Sequence, residues 1–383
     1  MSGRPHQTEI RPALLKDLPA LVALEEECFE GDRINRRQFR YLITKAKATL
    51  LVAEADGVLL GDIVLLYSRG TSMARLYSIA VAPQARGRGI ARALAEAAEA
   101  AVWEHHKVYL RLEIRKDNDA SIALFRGLGY RKIGEYPEYY EDGMDAWRFE
   151  KNLAPHLHPD LRRTAYYEQT LDFTCGAAAL MMAMKTLDPE IELTRNLELR
   201  LWREATTIFM TSGHGGCGPF GLALAAAHRG FPTEIYLNDQ GGVMLADSVR
   251  SDEKKEVMRL VQEEMEQEAR ELAIPVHYNG VTVDELQKIF DAGGIPLVLI
   301  SSWLVYGEKF PHWVVVTGFD DHFIYSHDPF VDYDEGETPT DSINMPIPRD
   351  QFERMTRYGK ARLQAVVVVY PTRKTRAKRK PRR

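Results

Sequence analysis

Apolar residues change their spacing along this chain in a way that separates helices from strands. IRPALLKDLPALVALEEECF begins as a short strand and continues with helical spacing over residues 17–29, and a second helix is predicted over residues 36–44. Two apolar runs follow at 49–55 and 58–67, joined by Asp56-Gly57, a dipeptide suited to a two-residue hairpin turn. A strand at 73–81, a glycine-bearing loop, an alanine-rich helix at about 89–103, a strand at 108–114, a helix at 118–128 and two more strands carry the pattern to residue 151.

From residue 166 the pattern changes. YYEQTLDFTCGAAALMMAMKTL sets polar residues ahead of an Ala/Met run without a helix breaker, which places Cys175 at the first turn of a helix. A helix near 194–205, a glycine-rich loop at 212–219 and a charge-laced, mostly acidic helix at 247–272 come next. VTVDELQKIFDAGGIPLVLISSW reads as a helix, a Gly-Gly stop and a buried strand. His312 then opens an apolar strand, Asp320-Asp321-His322 turns it, and Asp328 closes the return. A helix at 349–358 and a strand at 362–370 finish the pattern. The mixture of strands and helices predicts an α/β (α+β) fold. A length of 383 residues exceeds one ordinary core, so two domains are expected, 1–153 and 166–371, with a linker at 154–165 and a tail at 372–383.

Composition narrows the class. Hydrophobic residues at 45% and charged residues at 27% exclude a wholly disordered chain. No apolar run approaches the ~20 residues of a membrane span, and no charged flank with an apolar signal core opens the chain. The expectation is a cytoplasmic protein with no membrane partner. Three scattered cysteines, Cys28, Cys175 and Cys217, are too few for a disulfide framework and fit a reducing compartment. Cys28 falls within the first helix and reads as core. Formal net charge is −5, yet residues 372–383 hold eight Lys and Arg, which leaves the preceding residues at −13.

Candidate chemistry gathers first at Cys175. Unpaired backbone N–H groups and the positive end of the helix dipole favour a thiolate there. Gln169, six residues earlier on a loop, can fold back to offer its amide beside the Cys175 backbone N–H as a two-donor oxyanion hole. The predicted hairpin holds the His312 imidazole beside the Asp328 carboxylate. Over about residues 166–371 the order Gln, Cys-Gly, His, Asp-Pro resembles papain-like cysteine peptidases of the bacteriocin-leader-peptidase-like family. That resemblance implies Gln169 as oxyanion residue, Cys175 as nucleophile, His312 as base and Asp328 as its orienting partner. Those peptidase domains usually sit on membrane exporters, which are absent from this sequence.

The second constellation is the loop VAPQARGRGI, a Q-x-x-G-x-G pattern between a strand and a helix. It brings several backbone N–H groups and a helix N-terminus to one point, where a pyrophosphate fits. With the later NDASIALFRGLGY segment, the stretch from about residue 9 to 153 resembles the GNAT superfamily, and within it the ribosomal-protein-alanine N-acetyltransferases. By that resemblance acetyl-CoA is the cofactor. Its pyrophosphate would lie on Gln84, Arg86, Gly87, Arg88, Gly89 and Ile90, its thioester arm along Ile79 and Val81, and Asn118 nearby while capping its helix. Glu113 would take a proton from the incoming amine through water. Paired with Arg111 or Arg115, Glu113 reads equally well as a surface salt bridge. Phe125 stands where that type carries a proton-donating tyrosine, so the general acid must be Tyr130, Tyr139, Tyr140 or water.

Other features read more simply as structure. His156 and His158 of the linker, and His214 with Cys217 in H-x-x-C, lack the donor sets of a metal site, so no metal is expected. The basic tail could hold nucleic acid or a ribosome, yet it has no aromatic residue to stack on bases and reads as a solubilising arm. The expected protein is a bifunctional enzyme acting on peptide or protein amines and amides. Similar fusions imply an ATP-dependent peptide ligase as a further partner. An acetyl-CoA-binding and peptide-recognition module, or a cysteine-dependent acyltransferase, remain open readings.

Overall fold

The computed structural model describes residues 8–154, 160–206, 215–239, 251–307, 310–333, 337, 339, 341–359 and 361–372. His156, His158, His214, residues 247–250 of the expected acidic helix and the basic tail from residue 373 lie outside them. The chain divides into two compact units, Met1–His156 and Leu157–Arg383.

The first unit runs β1 (Glu9–Pro12), α1 (Leu18–Cys28), α2 (Arg36–Thr44), β2 (Ala48–Ala55), β3 (Val58–Tyr67), β4 (Met73–Val81), α3 (Ile90–Glu104), β5 (Tyr109–Arg115), α4 (Asp119–Gly127), β6 (Arg131–Tyr136) and β7 (Ala146–Asn152). Its strands form one seven-stranded sheet in the order β1-β2-β3-β4-β5-β7-β6. Asp56 and Gly57 both take positive φ, 53° and 78°, the backbone that a tight β2–β3 hairpin turn demands. Ile90, Leu94, Ala98 and Val102 of α3 are buried in one core. Leu18, Leu21 and Phe39 of α1 and α2 share a second core with Val52 and Val64. Gly61 permits the close approach of β3 to its neighbours, since a Cβ there would lie 2.8 Å from the Ala80 carbonyl oxygen and 3.1 Å from Leu94 Cδ1. The parallel pairing of β4 with β5 covers only Met73–Arg75 against Tyr109–Arg111, and beyond it no pairing joins the two strands. Ile79 and Val81 lie in the part of β4 that does not pair with β5.

The second unit runs β8 (Asp160–Leu161), α5 (Cys175–Leu187), α6 (Arg195–Ala205), α7 (Pro219–Ala227), β9 (Thr233–Leu237), α8 (Asp252–Glu271), β10 (Val276–His277), α9 (Val283–Asp291), β11 (Ile295–Ser301), α10 (Trp303–Tyr306), β12 (Pro311–Phe319), β13 (Phe323–His327), β14 (Met345–Pro348), α11 (Arg349–Met355) and β15 (Ala365–Val369). Its sheet has the order β10-β9-β15-β11-β12-β13-β14, and β8 pairs with β12 off that path. Asp160 and Leu161 therefore belong to this sheet and are no part of a free linker. Every residue from Cys175 to Met184 is buried, as expected of a helix apolar on all sides. α5 packs on β11 and β12 and against α6 and α7. Among the described residues no helix is long and apolar enough to cross a membrane.

Candidate active sites

In the second unit α5 begins at Cys175, and the residue after it must be small. A Cβ on Gly176 would lie 2.8 Å from Cys217 Cβ and 3.1 Å from Trp313 Cδ1. Trp313, next to His312 on β12, donates its Nε1–H to the Cys217 carbonyl at 3.0 Å and so ties α5's neighbour to the strand. His312 Nε2 lies 2.5 Å from Asp328 Oδ1, both side chains buried. Cys175 is close enough to the same imidazole to act on its ionisation. Burial alone would lower the His312 pKa, but the Asp328 charge and hydrogen bond, joined by Cys175, push it up to about 10. Asp328 is held in turn by the Tyr306 hydroxyl, which donates to Oδ2 at 2.7 Å, and by the Phe330 N–H, which donates to Oδ1 at 2.8 Å. Tyr306, Phe310 and Phe330 stand edge-on around His312 at centroid distances of 6.1, 5.9 and 6.4 Å. This apolar collar limits water at the ion pair, which strengthens it.

Gln169 is fixed by its backbone N–H, which donates to the Pro329 carbonyl at 2.8 Å, one residue beyond Asp328. Its side-chain amide donates to the Leu171 carbonyl at 3.0 Å, and its Oε1 is buried with no partner. One amide proton is thus used within the loop, and the second is the one available to a ligand. Cys217 is buried beside this site, and burial followed by the nearby Cys175 drives its thiol pKa upward, which keeps it protonated. The aromatic collar and Tyr306 are absent from the sequence expectation because they come from α10 and the residues flanking β12 and β13, with no local spacing to mark them.

In the first unit the glycine loop fits an anionic ligand by shape. Gly87 and Gly89 have φ of 75° and 81°, and a Cβ built on either meets nothing within 4 Å. Gln84 lies in the tight turn Pro83–Ala85, and Gly89 precedes α3, whose first residue is Ile90. Arg86 Nε donates to the Val81 carbonyl at 3.2 Å, at the end of the strand carrying Ile79. Asn118 caps α4 by accepting from the Ser121 N–H at 3.0 Å. Free N–H groups at a helix start beside two arginines suit a pyrophosphate.

Glu113 departs from both sequence expectations for its partner and exposure. Arg111 engages Glu150, and Arg115 engages Asp117 and Asp142. Glu113 Oε2 is 3.0 Å from Arg75 Nε on β4 and its Oε1 is 3.8 Å from Arg148 Nε on β7, and its side chain is only 4% exposed. The cause is register: β5 and β7 set Glu113 opposite Arg148, while Arg75, the last β4 residue paired with β5, sits opposite Arg111, two residues before Glu113. Arg75 also donates to the Tyr139 hydroxyl. Phe125 is fully buried and meets Tyr130 edge-to-face at 5.2 Å. Burial raises the phenol pKa of Tyr130, Tyr139 and Tyr140, so each holds its proton more firmly than a free tyrosine.

Comparison with known proteins gives a match for each unit. A family model described as "Peptidase_C39 like family" matches residues 164–370, and the "Acetyltransferase (GNAT) family" model matches residues 18–130. An N-alpha-acetyltransferase of Sulfurisphaera tokodaii is 34% identical over 114 residues, 26% of this chain and 67% of that protein. The catalytic subunit of the N-terminal acetyltransferase A complex of Arabidopsis thaliana is 30% identical over 149 residues, 38% of this chain and 77% of that protein. An uncharacterised N-acetyltransferase of Methanocaldococcus jannaschii is 32% identical over 138 residues, 36% of this chain and 86% of that protein.

Proposed function

Because the chain belongs to the Peptidase_C39-like family over residues 164–370 and to the GNAT acetyltransferase family over residues 18–130, we propose a bifunctional enzyme acting on peptides or proteins. One unit is an acetyl-CoA-dependent N-acetyltransferase of amino groups, and the other is a Cys-His-Asp peptidase or amide hydrolase. The observation that carries the second activity is the buried His312–Asp328 pair, 2.5 Å apart, with Cys175 among the groups that raise the imidazole's pKa.

Cys175 Sγ attacks the scissile carbonyl carbon. The oxyanion that forms is met by the Cys175 backbone N–H and the second Gln169 amide proton. His312 gives its proton to the departing amine, leaving a thioester on Cys175. Water, deprotonated by His312, then releases the acid and the free thiolate. Asp328 keeps the imidazole oriented by engaging Nε2, which leaves Nδ1 to serve the sulfur. If an amine replaces that water, the same residues perform acyl transfer.

In the first unit acetyl-CoA supplies an activated acetyl group when bound. Gln84, Arg86, Gly87, Arg88, Gly89 and Ile90 would hold its pyrophosphate, and β4 at Ile79 and Val81, beyond its pairing with β5, would take its thioester arm. Asn118 keeps α4 in place. Glu113, engaged by Arg75 and Arg148, arranges the acceptor side of the β4–β5 gap. Phe125 at the position of the family's proton donor favours a second reading, in which this unit binds acetyl-CoA and recognises substrate without fast transfer.

Iodoacetamide labelling, mapped separately to Cys28, Cys175 and Cys217, tests the cysteine site. Fast Cys175 labelling at mildly acidic pH, slowed by His312→Ala, is the expected result. Slow labelling of an accessible Cys175, indifferent to His312→Ala, removes the peptidase assignment. For the first unit, acetyl transfer from labelled acetyl-CoA to peptide amines is the expected readout. Binding without transfer to any of them selects the recognition reading.

A further inference from the structure

Glu198 lies on α6, outside every motif discussed above, and is fully buried. Among the described residues no Lys, Arg or His forms an ion pair with its carboxylate. Instead, four hydrogen bonds reach it, all from residues 167–174: the Tyr167 hydroxyl at 3.0 Å, the Thr170 N–H at 2.8 Å, the Thr170 hydroxyl at 2.7 Å and the Thr174 hydroxyl at 2.5 Å. That short segment contains Gln169 and ends one residue before Cys175. A buried carboxylate persists only when its oxygens are well supplied with donors, so this arrangement is costly to break and fixes the segment's path.

Thr174 shows what the arrangement accomplishes. It precedes α5 at the position where a threonine normally caps the helix, yet its side chain makes no cap. Its hydroxyl faces Glu198 and the Leu171 carbonyl, at 2.5 and 2.8 Å, and turns away from its own helix. Leu171 is also the acceptor of the Gln169 side-chain amide at 3.0 Å. The single Thr174 hydroxyl proton is shared between Glu198 and the Leu171 carbonyl, so Glu198, Thr174, Leu171 and Gln169 form one connected set of polar contacts ending on the proposed oxyanion donor.

We infer that Glu198 is a positioning residue for the oxyanion hole: it sets the Tyr167–Thr174 segment so that the Gln169 amide and the Cys175 backbone N–H face one point. This rests on the nucleophilic reading of Cys175. It further assigns the task of Glu198 to carbonyl chemistry and leaves the His312–Cys175 pair outside its reach.

Two reagents separate these roles. Iodoacetamide alkylates Cys175 by direct displacement of iodide and forms no oxyanion. With p-nitrophenyl acetate, Cys175 Sγ bonds to the acetyl carbon, an oxyanion forms, p-nitrophenolate leaves and a thioester remains. In full-length Glu198→Gln, iodoacetamide labelling of Cys175 and its pH profile are expected to stay within about twofold of wild type. Acylation, followed as p-nitrophenolate release and acetyl mass on the Cys175 peptide, is expected to fall ~10–100-fold, less than deleting an oxyanion donor outright. Thr174→Val removes one of the four donors while nearly conserving shape, and serves if Glu198→Gln folds poorly; the same selective loss is expected. Equal loss of both reactions, or loss of neither, in a variant that melts like wild type overturns the inference. Wild-type Cys175 labelling that ignores His312→Ala instead overturns the nucleophilic reading on which it stands.

Discussion

Arg75, at the end of the β4–β5 pairing, meets Glu113, two residues beyond it on β5, with Nε 3.0 Å from Oε2 and both side chains buried. The second Glu113 oxygen faces Arg148. A carboxylate shared by two buried guanidinium groups is first a structural part. Glu113→Ala leaves both cations without it and is expected to cost ~3–5 kcal/mol, read as a lower urea midpoint for the unit's transition in the full chain. Glu113→Gln is expected to retain the acid limb of the acetyl-transfer pH profile. Disappearance of that limb would make Glu113 the base after all.

The same pair shows where sequence reading stops. Local signals carried far: α2 spans Arg36–Thr44 as its periodicity predicts, and the Asp56-Gly57 turn follows from the two residue types that tolerate positive φ. α5 begins at the cysteine because the Ala/Met run starts there. The β9 strand, Thr233–Leu237, was not foreseen because five residues carry too little pattern, and α7 hides in a Gly/Ala-rich stretch. Within the site, residues at fixed positions of a motif were legible. Glu113's partners, Tyr306 on Asp328, and Glu198 beneath the Gln169 loop were not, because each contact joins elements through tertiary register and leaves no local spacing.

Asp62 on β3 is fully buried with both oxygens lacking a hydrogen-bond partner among the described residues, and Glu25 on α1 is buried beside it with one such oxygen. Burial, then the Glu25 charge, raises the Asp62 pKa well above the ordinary carboxyl value. A folded-state pKa above the unfolded one stabilises fully below the unfolded value of ~3.9, and that contribution is lost as pH rises through the folded value. Asp62→Asn keeps the shape without the charge. It should melt higher than wild type at pH 8 and converge with it near pH 4, by calorimetry at matched ionic strength. A variant equally less stable at both pH values would show that this titration is not what limits the fold.

Gly87 and Gly89 occupy the left-handed region with open space where a Cβ would go. A side chain there meets no neighbour, so any penalty is one of backbone conformation, ~1–2 kcal/mol per residue. Gly89→Ala should therefore weaken acetyl-CoA binding by roughly 5–30-fold if the loop relaxes to a shape that no longer cradles the pyrophosphate. The check is calorimetric titration with acetyl-CoA beside a melting curve. Lower melting with unchanged affinity would mean that the strained loop persists and that its shape is set by neighbours.

His312 has a folded pKa of about 10, raised by Asp328 and Cys175 against the opposing effect of burial. The imidazolium's contribution to stability is fully present below ~6.5 and is lost as pH rises through about 10. Asp328→Asn removes the charge and leaves burial opposed chiefly by Cys175. The imidazole should then titrate near or below ~6.5, visible by NMR of carbon-labelled histidine assigned through His312→Ala. Iodoacetamide labelling of Cys175 should slow at neutral pH in the same variant, because less imidazolium remains beside the sulfur. Tyr306→Phe removes the other donor to Asp328 and leaves the carboxylate in place, so its effect on the His312 titration should be far smaller. A large shift in Tyr306→Phe with none in Asp328→Asn would transfer the governing role from the carboxylate to the phenol.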